Sequence, residues 1–452
     1  MALPTWLKFI GPIAGQTRSA VESLLRGASI DHSAGMSAGG VGVIVFEQWN
    51  PGISDEFRAC IGRASAIAVY ISPARLSPRD TWAILEAGAR DVLTWPRLPL
   101  NADQVVSRLQ RWNAVESLAE SAHVKSVLVG QSPQWRTLVR SVVDVAAFSQ
   151  TSVLIMGESG TGKELIARLV HDMDQRRQKG DFVVVDCTTI VPELSGSELF
   201  GHERGAFTGA MTSRDGAFAM ANHGTLFLDE IGELQLPLQA QLLRAIQEHQ
   251  FKRVGSNTWQ HTEFRLVCAT NRNLEAAVTS GQFRADLYYR IAGWVCRTSP
   301  LRERRGDILP LVSHFLSPAG AGEPTLEPDD SVREYLLSRD YPGNVRELRR
   351  VVSSLLHRHA GPGPLTIGDV PEQERPNEAL ATNGWTDGGF ESAIREAIDL
   401  GIGLREIGNA AAEMAIRLAL ERESGNLHRA ALRLGVTDRA LQMRRANRRI
   451  SQ

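Results

Sequence analysis

The feature that most narrows the possible folds is the run Gly157-Glu158-Ser159-Gly160-Thr161-Gly162-Lys163-Glu164, set between two apolar stretches. Ser152-Val153-Leu154-Ile155-Met156 before it reads as a short buried strand, and Leu165-Ile166-Ala167-Arg168-Leu169-Val170 after it reads as a helix. Strand, glycine-rich turn and helix N-terminus together make an anion site: backbone N–H groups converge on the ligand, and the glycines let the backbone approach it. Lys163 adds a full positive charge. Such a loop calls for an α/β core behind it. One position departs from the general pattern, because Glu164 stands where a Ser or Thr would normally ligate Mg²⁺.

Other stretches supply further parts of a nucleotide-hydrolysing site. Phe182-Val183-Val184-Val185 reads as the next strand, and Gly224-Thr225-Leu226-Phe227-Leu228 as another that ends in Asp229 and Glu230. Asp229 is suited to hold Mg²⁺ and Glu230 to polarise the attacking water. The strand Phe264-Arg265-Leu266-Val267-Cys268-Ala269 ends in Thr270-Asn271, where a polar tip can sense a γ-phosphate. Arg284 and Arg290 stand six apart beside bulky anchors. The run from Arg302 to Ile308 is expected to start a helical segment that ends in Tyr341-Pro342-Gly343-Asn344-Val345-Arg346-Glu347-Leu348. Taken singly, any of these arginines is more often a surface ion pair.

A chain of 452 residues should hold about three domains. With 43% hydrophobic and 22% charged residues it is ordinary globular protein with room for large cores. Cys60, Cys187, Cys268 and Cys296 are scattered, without a Cys-x-x-Cys pair, as expected of reduced thiols in a cytoplasmic protein. No run approaches eighteen apolar residues, so no membrane association is expected. Residues 1–112 alternate apolar strands and helices, the signature of a doubly wound parallel α/β domain. Residues 113–125 read as a helical linker, 126–300 as the α/β nucleotide-binding core, 301–362 as an α-helical lid, and 363–389 as a second linker. Residues 390–452 read as all-α, with helix-turn-helix spacing around Gly435. From Asn426 to Gln452 there are seven arginines and one acid, Asp438, a balance suited to neutralising DNA phosphates. Arg439, Gln442 and Arg445 share one helical face and are the expected base contacts.

Over about residues 127–370 these motifs resemble the central domain of the bacterial enhancer-binding proteins, AAA+ ATPases that activate sigma-54 RNA polymerase. In that family the phosphate loop commonly ends in Lys-Glu, which accommodates Glu164. The resemblance implies ATP and Mg²⁺ as cofactors. It also implies that residues 157–164 bind the phosphates, that Asp229 and Glu230 form the acidic pair, and that Asn271 and Arg346 are sensors. Arg284 and Arg290 would act as fingers on a neighbour's nucleotide, so that activity needs a ring, usually a hexamer in the family. Gly205, Ala206, Phe207, Thr208, Gly209 and Ala210 match the family's hallmark loop, which contacts the sigma factor. The C-terminal region is similar to the Fis-type helix-turn-helix domain, implying upstream enhancer DNA as a partner and dimerisation through the two preceding helices. The implied function is a sigma-54-dependent transcriptional activator that remodels the closed polymerase complex. A repressor that keeps the nucleotide site and a chaperone-type unfoldase are the rivals; the hexapeptide loop argues against the first and the helix-turn-helix against the second.

Two departures stand out. Asp186 occupies a strand end where the family usually has Asn, and a carboxylate facing Glu230 would repel it unless one is protonated or bridged by a cation. Residues 1–112 resemble a degenerate receiver, another small α/β sensor being the alternative. Glu47 falls at the acceptor position, Gly11 and Pro12 replace the metal-binding acidic pair, Trp95 replaces the Lys, and Ser72 alone matches. Switching by phosphoryl transfer is therefore not expected. A regulatory protein docking on an exposed Trp82 or Trp95 is one alternative input, and Glu47 as a fixed mimic of the phosphorylated state is the other.

Overall fold

The computed structural model describes residues 3–28, 30–31, 41–61, 65–73, 75–95, 102–176, 179–190, 195–317, 326–375, 388–423 and 426–437. They fall into two compact units, Met1–Asp369 and Val370–Gln452.

The first unit begins with a parallel sheet whose strands β1 (Trp6–Phe9), β2 (Val41–Phe46), β3 (Ser65–Ile71) and β4 (Asp91–Trp95) lie in that spatial order. Just upstream of β1, Leu3–Pro4 pairs in parallel with Ile30–Asp31. Counting that pairing, successive strands run second, first, third, fourth, fifth across the sheet, a doubly wound order. Helices α1 (Gly15–Gly27) and α4 (Asp103–Ala119) place Val21, Leu25, Val105 and Leu109 on one face of the sheet. Helices α2 (Pro51–Ile61) and α3 (Pro78–Glu86) place Ile53, Phe57 and Ile84 on the other. With both faces covered, all six residues of β2 are buried, as parallel strands require.

Of the two tryptophans expected to be exposed, Trp82 is 66% exposed on α3, but Trp95 is only 4% exposed. Strand alternation explains the correction: Leu93 and Trp95 both point into the layer shared with α1 and α4. Beside Glu47 the sheet end is occupied by aromatic rings. Phe46 lies 5.7 Å from Trp49 and 5.6 Å from Tyr70, and Trp49 lies 5.8 Å from Phe57.

Helix α4 continues past this domain without a break. Its Val105 and Leu109 belong to the N-terminal core, whereas Val115 and Ala119 pack into the next one beside Trp135 and Val139. After α5 (Ala122–Val127), helix α6 (Pro133–Phe148) lies against it. Arg140 clasps Glu116 with two bonds of 2.7 Å, and Arg111 donates to Asp144 at 2.7 Å.

The second sheet comprises β5 (Val153–Met156), β6 (Phe182–Asp186), β7 (Thr225–Asp229), β8 (Arg265–Thr270) and β9 (Trp294–Arg297). All pair in parallel, in the order β9-β5-β8-β7-β6, so their C-terminal ends form one edge. Between them run α7 (Lys163–Asp172), α8 (Ser195–Phe200), α9 (Ala217–Met220), α10 (Leu236–Glu248), α11 (Leu274–Thr279) and α12 (Ala285–Ile291). Arg265, 2% exposed on β8, donates at 2.8 Å to the carbonyls of Val145 and Ala146. A buried cation thus sits against carbonyls at the negative end of α6, one of which, Val145 O, also accepts the Ser149 N–H at 3.1 Å.

The lid consists of α13 (Ile308–Leu316), α14 (Asp330–Ser338) and α15 (Asn344–Arg358). Its entry departs from expectation, since Leu301–Glu303 and Arg305–Asp307 form separate 3₁₀ turns and the helix starts only at Ile308. The side chains there are drawn elsewhere, Arg302 to Glu158 and Asp307 to Gln131 and Ser132.

The second unit holds α16 (Gly388–Asp399), α17 (Leu404–Arg422) and α18 (Leu427–Arg433). Asn426 caps α18 by accepting the Arg429 N–H, and Gly435 turns the chain at φ +65°. Arg439, Gln442 and Arg445 lie outside the described residues. Among the described residues no helix is long and apolar enough to cross a membrane.

Candidate active site

The phosphate loop leaves the C-terminal end of β5 and enters α7. Gly160 and Gly162 take φ of +79° and +103°, which L side chains rarely adopt. A Cβ on Gly160 would lie 2.3 Å from the Gly343 carbonyl oxygen, so the lid touches the loop where there is room only for glycine. The Val345 N–H donates to Gly160 O at 2.9 Å, and Arg346 donates to the Ser159 hydroxyl at 3.1 Å. Thr161 is buried, its hydroxyl 2.9 Å from that of Thr298. Glu164, at the start of α7, faces solvent and pairs with Arg168 at 2.8 Å.

Lys163 is 7% exposed. Its Nζ donates to Gly157 O at 2.9 Å and to Glu230 Oε1 at 3.2 Å. Glu230 follows β7 in a left-handed conformation, φ +49°, and its Oε2 accepts the Asn271 backbone N–H at 2.9 Å. Strand order explains the meeting: β8 lies between β5 and β7, so its tip residue Asn271 stands between phosphate loop and acidic pair. Asp229 accepts the Glu230 N–H at 3.0 Å, and burial, with the Glu230 charge second, holds its carboxyl above the usual range. Asp186, register partner of Asp229 on β6, turns its carboxylate onto the Thr188 N–H and hydroxyl at 2.9 and 2.7 Å.

These residues open into a cavity of about 340 Å³. Residues 159–165, Asp229 and Glu230 form its polar end; Val127, Leu128 and Val129 face Leu311, His314 and Phe315 at its apolar end. The shape and chemistry suit a nucleoside triphosphate, with the phosphates on the loop and the base between linker and lid. Asp229 is the acid available to a Mg²⁺ ion, which usually takes one or two carboxylates with the phosphates themselves.

Sequence reasoning missed the residues that hold the lid. Arg302 clasps Glu158 at 2.6 and 2.8 Å, and Asn344 Nδ2 donates to Glu158 Oε2 at 3.1 Å. Arg302 first and Asn344 second hold the Glu158 carboxyl down at about 2. Arg304, 2% exposed, lies 3.9 Å over the Trp135 ring and donates to Thr161 O. The strain at Asn344, φ +53°, accompanies a second bond, its Oδ1 accepting the Leu301 N–H at 2.8 Å.

Arg284 and Arg290 do not line this cavity. Arg284 pairs with Asp286 at 2.7 Å. Arg290 donates to Ile246 O, and its own carbonyl accepts the Ser152 hydroxyl, which places it at the N-terminal end of β5, away from the phosphate loop. Residues 205–210 form a closed turn: the Gly205 N–H donates to Ala210 O at 2.8 Å and the Ala210 N–H to Phe207 O at 3.0 Å. Gly205 and Gly209 take positive φ at its ends. Phe207, 37% exposed, rests edge-on against His202 at 5.0 Å, and Thr208 is exposed beside it.

Two family profiles match the chain: one described as "Sigma-54 interaction domain" over residues 128–296, and one described as "AAA+ ATPase lid domain" over residues 302–383. The regulatory protein AtoC of Escherichia coli (strain K12) is 38% identical over 354 residues, covering 76% of this chain and 74% of its own. The anaerobic nitric oxide reductase transcription regulator NorR of Aeromonas hydrophila is 37% identical over 410 residues, 84% of this chain and 79% of its own. A Nif-specific regulatory protein of Azospirillum lipoferum is 46% identical over 257 residues, of which this chain spans 41%. NtrX from Brucella abortus, solved with ADP, shares the fold with a TM-score of 0.50 at 24% identity over 98% of both chains.

Proposed function

The chain belongs to the sigma-54-dependent enhancer-binding activators and is an AAA+ ATPase, and from that premise we propose that it binds DNA upstream, assembles a ring and uses ATP hydrolysis to remodel the closed sigma-54 polymerase complex. The observation that carries this reading is the turn at 205–210, which leaves Phe207 and Thr208 exposed on the same domain that holds the nucleotide cavity. An exposed aromatic and hydroxyl between two left-handed glycines suit a mobile contact and serve no purpose in binding phosphate.

In the proposed cycle residues 159–164 and Arg346 hold the triphosphate, Lys163 neutralises it, and Glu230 orients the water. A Mg²⁺ ion at Asp229 would supply charge to the phosphate oxygens. Arg290, remote from its own cavity, supports a ring in which each finger serves a neighbour; Arg284 would act with it. Ile398 on α16 and Leu404, Met414 and Leu418 on α17 are between 48% and 87% exposed. That apolar surface supports dimerisation of the C-terminal unit, and Arg439, Gln442 and Arg445 are the proposed base contacts. The aromatic cluster around Glu47 and the buried Trp95 support a receiver-like domain that takes no phosphoryl group, with Trp82 available to a regulatory partner. Such a protein would act in the cytoplasm, on the nucleoid.

Transcription from a sigma-54 promoter with purified components tests the reading. Wild type should activate with ATP, and Thr208→Ala should retain ATP hydrolysis and DNA binding while losing activation. Full activation by Thr208→Ala would exclude the turn as the contact, and inactive wild type would exclude the function.

A further inference from the structure

The geometry points to Lys163 as a latch on Glu230, one that nucleotide phosphate itself undoes. The inference deepens the reading of Glu230 as the water-orienting carboxylate and rests on it.

Glu230 holds a backbone conformation, φ +49° and ψ +48°, that costs a non-glycine residue about 1–2 kcal/mol. Four bonds hold it there: its N–H to Asp229 Oδ1, its carbonyl to the Glu233 N–H at 2.9 Å, its Oε2 to the Asn271 N–H, and its Oε1 to Lys163 Nζ. Of the two on its carboxylate, the Asn271 N–H is main chain and does not depend on ligand. The other uses the cation on which the phosphates must also rely. The Lys163 side chain is 7% exposed and that of Glu230 19%, so water screens the pair little.

Asp186 is the other candidate to govern Glu230, since it ends the neighbouring strand. Its carboxylate is instead spent on the Thr188 N–H and hydroxyl, and it makes no hydrogen bond to Glu230. The charged partner of Glu230 is the ammonium of Lys163. When phosphate oxygens take that ammonium, Glu230 keeps the Asn271 N–H as a pivot and loses the bond on its other oxygen. The carboxylate is then free to turn toward the incoming water. The exchange replaces one ion pair by another, and Lys163 is a positioning residue for Glu230 as well as a phosphate ligand.

ADP binding without Mg²⁺, measured by calorimetry on the full chain, tests the latch apart from hydrolysis. If the pair competes with phosphate, Glu230→Gln should tighten ADP binding by about three- to tenfold. Glu230→Asp keeps the charge but shortens the reach to Nζ, and should tighten it as well. Asp186→Asn removes a neighbouring charge that makes no hydrogen bond to Lys163, and should change affinity less than twofold. Unchanged affinity in Glu230→Gln would overturn the latch. Equal tightening in Asp186→Asn, or none in Glu230→Asp, would reduce the effect to the general field of the carboxylates and also overturn it. Loss of turnover in Glu230→Gln with unchanged ADP affinity would leave the water-orienting role intact and remove the latch alone.

Discussion

Replacing Asp307 should be among the most damaging single changes in the nucleotide-binding core. This carboxylate is fully buried. It accepts the N–H groups of Gln131 and Ser132 at 2.6 Å each and the Ser132 hydroxyl at 2.8 Å, and lies 3.8 Å from Arg304. It therefore ties the entry of the lid to the start of α6, whose Trp135 carries the Arg304 guanidinium. Burial alone pulls the Arg304 pKa down to about 10, so that cation sits in a poorly hydrated place. Asp307→Ala removes three charge-assisted bonds and strands Arg304, a loss of about 3–5 kcal/mol. Asp307→Asn keeps one oxygen for the two backbone donors and the volume of the side chain, and should lose about 1–2 kcal/mol. Urea unfolding followed by tryptophan fluorescence would give both values, and ADP affinity should weaken in the same order because Arg304 also holds Thr161. A loss below about 1 kcal/mol in Asp307→Ala, or equal losses in the two variants, would refute the account.

Two further outcomes follow from the contacts of Glu158 and Glu116. Glu158 has its carboxyl lowered to about 2 by Arg302 and then Asn344, so its stabilising contribution is present above the unfolded value of about 4.3 and is lost as pH falls toward 2; the stability gap between wild type and Glu158→Gln should close across that window, and a constant gap would contradict it. The half-exposed Glu116–Arg140 clasp should show a coupling of only about 0.2–1 kcal/mol in a double-mutant cycle on stability, and a value above about 2 would mean that the pair is far better shielded than its surroundings suggest.

What was legible in the sequence was whatever is encoded locally. The glycines of the phosphate loop, the apolar run into Asp229 and Glu230, and the strand ending at Asn271 each carry their own signal within a dozen residues. The hexapeptide at 205–210 was legible too, because two glycines fix its turn. The lid anchors were not: Asn344 reaches Glu158 and Ser159 across more than 180 residues, and no spacing rule connects them. Asp307 lies in the recognisable run 302–308, yet its partners lie 175 and 176 residues away. The burial of Trp95 follows from the alternation of β4, in which Leu93 and Trp95 both face inward, and not from the position it shares with a receiver's Lys. The pairing of Leu3–Pro4 with Ile30–Asp31, which sets the strand order of the first sheet, spans two residues and leaves no pattern to read.

Helix α4, rooted by Val105 and Leu109 in one core and by Val115 and Ala119 in the next, fixes the phase between two modules that recombination would otherwise shuffle freely. An α-helix turns about 100° and advances about 1.5 Å with each residue. A graft that adds one residue between Arg111 and Val115 would swing everything upstream by that angle and carry Arg111 out of step with Asp144, while Glu116 keeps its place beside Arg140. Seven residues bring the helix back to within about 20°, at a displacement of roughly 10 Å. Exchange of the N-terminal domain at this joint is therefore quantised in steps of about seven residues, because only those restore the face that α4 turns to both cores.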